Sequence, residues 1–423
     1  MDKISRKNFL QLSAVLAGTA APAFAKSKPA KSARVVVIGG GFGGATCAKY
    51  IRNMDSKISV TLIEKNKNYI TCPMSNTVLG GINQMSFITH GYAGLQKHGV
   101  KVVHDLVTEI DPVKKSIKMK SGKIQKYDYL VVSPGIELLF DQVQGYSKNA
   151  ASAIPHAYEA GKQTEILFSQ IKAMPKNGTV IIAPPDNPFR CPPGPYERTS
   201  MIAHYMKKHK PDGKILILDA KDTFAKKPLF EKAWEVLYLG MVEFVAGSQG
   251  GKVERIDVAK KEIITSSGTH KGDVINLIPP QRAGAIAVAT GLTKGNWCAV
   301  NQSTFESEIH KGIYVIGDSA IAGAMPKSGF SANSQAKTCA AAIVSSVNGI
   351  KMPDPSYVNT CYSLVADNYG ISVAAVYKYD GAAIVGIEGS GGVSPMEADF
   401  DYRQKEAKYA MGWYDSIIKD SLM

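Results

Sequence analysis

Arg34-Val35-Val36-Val37-Ile38-Gly39-Gly40-Gly41-Phe42-Gly43-Gly44 is the stretch that decides the fold. Its opening run is apolar and β-branched, the pattern of a strand buried on both faces of a parallel sheet. Gly39-x-Gly41-x-x-Gly44 follows at once, then an Ala/Cys/Tyr/Ile helical pattern, then a second strand over 58–63 that ends in Glu64. Strand, glycine turn, helix, strand and acid stand in the order that a dinucleotide-binding α/β unit requires. Gly39 makes the turn, Gly41 lets a pyrophosphate approach the backbone, and Gly44 lets helix and strand pack closely. Amides at the helix start then face the phosphate charge. Glu64 is placed to accept hydrogen bonds from ribose hydroxyls, and its charge disfavours a 2′-phosphate.

Working outward, Tyr127-Asp128-Tyr129-Leu130-Val131-Val132-Ser133-Pro134-Gly135 reads as a strand running into a tight turn. Buried strands over 179–183 and 214–219 make the middle of the chain a weak second copy of the first nucleotide unit. The pattern returns to strand over 312–318, with a helix expected over 334–347, closed by Asn348-Gly349. From Met352 onward, strands over 371–377 and 382–387 alternate with glycine-rich turns. A last helix there carries Tyr409, Trp413 and Ile417 on one face. The fold class expected is α/β: two Rossmann-like dinucleotide domains plus a small C-terminal α+β domain. The division is a FAD-type nucleotide domain over 33–150 and 280–350, a second nucleotide-type domain over 151–279, and a C-terminal domain over 351–423.

With 423 residues the chain exceeds one ordinary core. Lys3, Arg6 and Lys7 precede an apolar run over 9–21 and then Ala23-Phe24-Ala25. That is the build of a removable signal over 1–25, with a Lys/Ser/Pro/Ala linker over 26–32. The run is shorter than the roughly 20 apolar residues a membrane span needs, so no transmembrane segment is expected. Ser5-Arg6-Lys7-Asn8-Phe9-Leu10 resembles a twin-arginine signal with Lys7 in the second arginine's place, and the location implied is periplasmic. Removing the signal lowers the formal charge of +14 by 2, to about +12. The lysines are scattered, without a basic block interleaved with aromatics, so nucleic acid is not the expected partner. An acidic patch on a redox protein fits better.

Two further segments extend the glycine motif. Residues 304–318, ending in Gly317-Asp318, resemble the far FAD-binding motif of two-dinucleotide-domain flavoproteins, in which the aspartate binds the ribityl chain. Tyr129 to Gly135 resembles the A-T-G turn of the same superfamily, with Ser133-Pro134 in place of Ala-Thr. FAD is the cofactor these motifs imply. The middle domain lacks the second glycine turn: after the strand over 179–183 comes Pro184-Pro185-Asp186-Asn187-Pro188-Phe189-Arg190-Cys191-Pro192-Pro193-Gly194-Pro195. Prolines have no amide hydrogens to cradle a pyrophosphate, and they stiffen the loop. Such a loop suits presenting a thiol to a flavin, and no NAD(P)H site is expected.

Several segments together resemble one family, the flavin subunit of flavocytochrome c sulfide dehydrogenase, a relative of sulfide:quinone oxidoreductases with the glutathione-reductase-like fold. They are Thr71-Cys72-Pro73-Met74-Ser75-Asn76, Arg190-Cys191-Pro192-Pro193-Gly194-Pro195-Tyr196-Glu197-Arg198, Ile278-Pro279-Pro280-Gln281-Arg282-Ala283-Gly284, Gly317-Asp318-Ser319, and Ser331 through Cys339. The resemblance implies that Cys72 is joined through sulfur to the 8α-methyl of FAD. It implies a redox disulfide between Cys191 and Cys339, opened by hydrosulfide to a persulfide and a thiolate. Positive charge from Arg190 or Arg198, and the helix starting near Ser331, would favour that thiolate. Glu197 matches a family glutamate put forward as a base, and reads equally as a solvated loop carboxylate.

The binding residues expected are thus Cys72, Gly39, Gly41, Gly44, Glu64, Gly135, Gly317 and Asp318, and the reactive ones Cys191, Cys339 and Glu197. None of the six cysteines has a C-x-x-C-H context. Haem is therefore expected on a partner chain, a c-type cytochrome subunit that receives the electrons of sulfide. Two other readings stand beside this one, a peripheral-membrane sulfide:quinone oxidoreductase and an electron-relay flavoprotein that never meets sulfide. The states of Cys47, Cys298 and Cys361 are left open.

Overall fold

The computed structural model describes residues 32–423. The proposed signal and all but the last residue of the linker lie outside the described residues. The first unit runs β1 (Arg34–Ile38), α1 (Phe42–Met54), β2 (Ser59–Ile63), β3 (Lys101–Val103) and β4 (Tyr129–Val132). The second has β5 (Thr179–Ala183), α2 (Gly194–His209), β6 (Lys214–Leu218), α3 (Lys227–Leu237), β7 (Val242–Val245) and β8 (Val274–Leu277). The chain then returns through β9 (Ile313–Val315) and α4 (Gly329–Asn348), and finishes with β10 (Ser356–Ala366), β11 (Tyr369–Tyr379) and α5 (Phe400–Leu422).

Two parallel sheets result. The first has the order β9-β4-β1-β2-β3, so a strand from far along the chain completes it. The second has the order β7-β6-β5-β8. The central strands are buried along almost their whole length, as parallel strands covered on both faces must be. Each sheet also carries a three-stranded antiparallel meander, over 107–126 and over 253–271. The duplication thus extends beyond the strands expected from sequence; the meander strands are short and half exposed, and give no long apolar run.

Two differences from the sequence reading shape the site. Helix α4 begins at Gly329, five residues before the expected start, because Ser328 caps it by accepting the Ser331 N–H at 3.0 Å. Its polar first turn hid the helical period. The strand β10 was not expected at all; it pairs antiparallel with β11 across the short Asp367-Asn368 connection. The C-terminal segment has no core of its own. Ala407, Ala410, Tyr414, Ile417, Ile418 and Leu422 of α5 join the core of the first unit, while Val365, Ala366, Tyr369 and Ile371 join that of the second. The stripe Tyr409, Trp413, Ile417 is therefore not one packed face: Tyr409 is exposed and Ile417 buried. No helix among the described residues is long and apolar enough to cross a membrane.

Candidate functional site

The glycine turn behaves as its spacing requires. Gly39 has φ +95°, and a Cβ there would lie 2.2 Å from the carbonyl oxygen of Ser133. A Cβ on Gly44 would lie 1.9 Å from the carbonyl oxygen of Gly39, so only glycine lets α1 start this close to β1. Gly41 is open, its added Cβ meeting nothing nearer than the Tyr69 hydroxyl at 3.6 Å. Glu64 braces the turn: one carboxylate oxygen accepts the Gly40 N–H at 2.8 Å, the other the Asn66 N–H at 2.9 Å. Each oxygen keeps a lone pair for a further donor.

Gly39, Gly41 and Glu64 line one end of a cavity of about 860 Å³, inside the size range of cofactor sites. Gly135, Gly317 and Asp318 line the same cavity, as do Cys72, Cys191 and Glu197. Gly44 stands behind it as a packing residue. Asp318 is held near Arg190, its carboxylate 4.0 Å from the guanidinium; burial raises its pKa and Arg190 pulls it back. Arg190 donates to the Tyr158 carbonyl, but its Nε is buried without a partner. A glycine cradle that a Cβ would fill, an acid at the strand end and an orphaned buried donor suit FAD. Gly39, Gly41, Glu64, Gly135, Gly317 and Asp318 are the residues that would hold it.

The other end of the cavity belongs to cysteine. Cys72 follows the short strand Tyr69–Ile70, and its carbonyl accepts from the Ser75 N–H and hydroxyl. Next to it, Thr71 bonds the Tyr414 hydroxyl at 2.7 Å, which meets His90 at 2.8 Å, so α5 fixes this loop. Cys191 has φ +57°, a backbone that costs a non-glycine residue energy and clusters at functional sites. It is held there by its N–H donating to the Lys327 carbonyl at 2.7 Å and its carbonyl accepting from Gly194 and the Tyr158 hydroxyl.

The expected pair of Cys191 with Cys339 is not what the fold brings together. Cys339 is fully buried in α4, in the same core as Cys47 of α1; burial first, then Cys47, raise the pKa of its thiol. Ala332, on the same helix, does line the cavity; Cys339 lies seven residues further, two turns and about 10 Å along the axis. Besides Cys72, the cysteine that shares the cavity with Cys191 is Cys361, on the unexpected strand β10. Both are thiols here. Burial first, then Cys361, Cys72 and Glu197, push the Cys191 thiol well up, and Arg190 only partly offsets them. Arg198 is pinned structurally, donating to Asn76, Asn276 and the carbonyls of His156 and Ala157.

Glu197 is not a solvated loop carboxylate. It sits in the first turn of α2, accepting from the Leu364 N–H at 3.0 Å and the Asn76 amide at 3.1 Å, and burial raises its pKa. Two more residues to which the sequence gave no role at the site stand at this end, one lining the cavity and one beside Cys361. Trp413 lines the cavity between Phe330 and Tyr362, with its Nε1 buried and unpartnered. Lys226 reaches Ser363 beside Cys361. The alternation Val358, Thr360, Tyr362, Leu364 was the available signal for β10. In the second sheet, Asp219 ends β6 where a nucleotide-binding acid would stand, but its oxygens are taken by Lys221 at 2.6 Å and the Tyr196 hydroxyl at 2.5 Å. Tyr196 itself stacks on Phe224.

Two dinucleotide sheets, one cradled cavity and a cysteine cluster at its far end define a flavoprotein of the two-domain disulfide oxidoreductase class, which binds FAD. Residues 33–165 match the pyridine nucleotide-disulphide oxidoreductase family. Residues 164–279 match the central domain of the sulfide dehydrogenase [flavocytochrome c] flavoprotein chain, and residues 353–422 the flavocytochrome c sulphide dehydrogenase flavin-binding domain. The chain belongs to the flavocytochrome c sulfide dehydrogenase flavoprotein family, related to the sulfide:quinone oxidoreductases.

It is 62% identical over 45 residues to the sulfide dehydrogenase [flavocytochrome c] flavoprotein chain of Chlorobaculum thiosulfatiphilum, covering 11% of this chain and 94% of that one. A mitochondrial sulfide:quinone oxidoreductase of Dictyostelium discoideum is 25% identical over 306 residues, 70% of this chain and 67% of that protein. For the mouse mitochondrial enzyme, 24% identical, the chain spans 65% of its length. The sulfide:quinone oxidoreductase structure from Aquifex aeolicus superposes with a TM-score of 0.71 at 18% identity, covering 92% of each chain, which is a likeness of fold.

Proposed function

We propose that this chain oxidises sulfide through a Cys191–Cys361 disulfide and hands the electrons to a c-type cytochrome subunit outside the cytoplasm. The observation that carries the reading is the meeting of Cys191, Cys361, Cys72 and Glu197 on one cavity whose other end is the glycine cradle. Hydrosulfide attacks one sulfur of the disulfide, forming a persulfide there and freeing the other as a thiolate. Glu197, with its raised pKa, is placed to take up the proton that sulfide brings. Cys72 is the residue for a covalent tether, held open to the cavity by the Thr71–Tyr414–His90 chain. Bound FAD supplies a two-electron acceptor. The family name and the basic charge of the chain support a cytochrome as the next acceptor, with its haem on the partner. The prolines after β5 and the occupied Asp219 support a second domain that takes no NAD(P)H.

Anaerobic addition of sulfide tests this. The flavin absorbance of the wild type should bleach, Cys191→Ser and Cys361→Ser should not, and Cys339→Ser should behave as wild type. Full bleaching in Cys361→Ser defeats the proposed pair. Turnover with a soluble cytochrome c against turnover with a quinone separates this reading from that of a quinone reductase, and reduction by NADH would count against the second domain's role.

A further inference from the structure

Beside Cys361 stands a buried lysine that does not line the cavity and to which the reaction above gives no task. Lys226 has a left-handed backbone, φ +64°, at the start of α3, and is only 7% exposed. Its side chain crosses from the second sheet to the C-terminal hairpin, where Nζ donates to the Ser363 hydroxyl at 2.8 Å and to the Cys361 carbonyl at 3.4 Å. Both acceptors are neutral. Among the described residues, no carboxylate lies within 4.0 Å of it. The two whose charge reaches it are engaged: Glu197 by Leu364 and Asn76, Glu406 by Arg403 and the hydroxyls of Ser372 and Ser394. A buried ammonium without a counter-ion is costly, and is understood where an anion arises beside it.

The anion that disulfide opening creates is a thiolate, and of the two sulfurs it is Cys361 whose own residue Lys226 already bonds. We propose that Lys226 is a positioning residue that sets the direction of opening, holding the Cys361 sulfur as the leaving thiolate so that hydrosulfide adds to Cys191. This rests on the disulfide reading above. In the step, the incoming sulfur forms a bond to the Cys191 sulfur and the Cys191–Cys361 bond breaks. Its electron pair goes to the Cys361 sulfur, and the proton arrives on the terminal sulfur of the new persulfide, from which Glu197 then takes it. The sulfide sulfur is oxidised as the disulfide is reduced.

The surroundings of the two thiols are unequal. Cys361 faces Lys226 from α3 and Glu197 from α2; burial raises its pKa and Lys226 pulls it down. Cys191 faces Cys361, Cys72 and Glu197, all of which raise it, with Arg190 against them. Burial lowers the Lys226 pKa, and the charges of Cys361, Glu197, Cys191 and Glu406 hold it up.

The test is alkylation of the reduced holoprotein by iodoacetamide across a pH range, with the Cys191 and Cys361 peptides quantified by mass spectrometry. In the wild type Cys361 should begin to label at lower pH than Cys191. Lys226→Met should move the Cys361 profile up by about one pH unit, a tenfold slower labelling at fixed pH, with flavin content unchanged. After one equivalent of sulfide, the persulfide should be trapped on Cys191 in the wild type and on both cysteines in the variant. Cys361 labelling at or above the pH of Cys191 in the wild type overturns the proposal without any variant. An unmoved Cys361 profile in folded Lys226→Met, or in Lys226→Gln, which keeps a donor to Ser363, overturns it too. Failure of sulfide to open the disulfide would instead strike the functional reading, since the alkylation profile involves no sulfide.

Discussion

Gly41→Ala and Gly44→Ala should separate the two duties of the glycine turn. At Gly44 the new Cβ would stand 1.9 Å from a backbone oxygen that cannot move independently, so α1 must retreat from β1 by about 1 Å or more. Overpacking of that kind costs about 1–3 kcal/mol or more, before any cofactor binds. At Gly41 the backbone, φ −72° and ψ −173°, is open to any residue, and the nearest atom to the new Cβ is at 3.6 Å. The lost N-cap glycine and the gained chain stiffness nearly offset, so the apoprotein should change by less than about 1 kcal/mol. The methyl group nevertheless fills the approach to the amides of the turn. Losing one or two charge-assisted hydrogen bonds there costs about 2–4 kcal/mol, a weakening of FAD binding by roughly thirtyfold to a thousandfold. Both variants belong in a Cys72→Ala background, so that flavin occupancy reports an equilibrium. Thermal melts of the apoprotein and fluorescence titrations with FAD are the assays. A Gly41→Ala protein that binds FAD within about threefold of its parent, or a Gly44→Ala apoprotein that melts with its parent, refutes the reasoning.

Arg198→Met removes a buried cation that donates to four acceptors, and leaves the Ala157 carbonyl and two amide oxygens unsatisfied, while the His156 carbonyl keeps the Asn276 amide. At about 1–3 kcal/mol for each group left unpaired, the loss should exceed roughly 3 kcal/mol, read as a lower denaturant midpoint. Glu197 has a folded pKa raised by burial, so its contribution to stability is whole below the ordinary carboxyl value of about 4.3 and is lost as pH rises through the folded value. Wild type and Glu197→Gln should therefore diverge in melting temperature as pH rises from there, the wild type losing ground; parallel curves would contradict the raised pKa. Denatured wild-type protein should keep its flavin mass and Cys72→Ala should lose it, and free flavin from the wild type ends the tether.

The nucleotide units were legible because their signals are local. A buried parallel strand is a short β-branched run, and a glycine turn is defined by contacts between residues five apart, as the Gly39–Gly44 approach shows. The two parallel sheets, the glycine cradle and Glu64 followed from such local patterns, as did the presentation of Cys191 by a proline-stiffened loop, whereas Asp318 came from a resemblance to a flavoprotein motif. The partner of Cys191 could not be read this way. Cys339 sits in a more distinctive sequence than Cys361, but distinctiveness says nothing of depth along a helix. Two turns of α4 carry Cys339 out of the cavity and onto Cys47, where it fills the core between two helices.

The amino-acid sequence alone determined a dinucleotide-binding α/β architecture, a FAD cradle, and which loops bring Cys72 and Cys191 to bear. The tertiary structure decided which further sulfur shares the cavity with Cys191 and Cys72, that Glu197 is buried, that Trp413 lines the same cavity from α5, and that Lys226, at the start of α3, reaches Ser363 and the Cys361 carbonyl. The physical reason is the separation of the contacts. Glycine turns and strands are set by neighbours along the chain, whereas the hairpin of β10 and β11 gains its meaning only when packing lays it across two nucleotide domains.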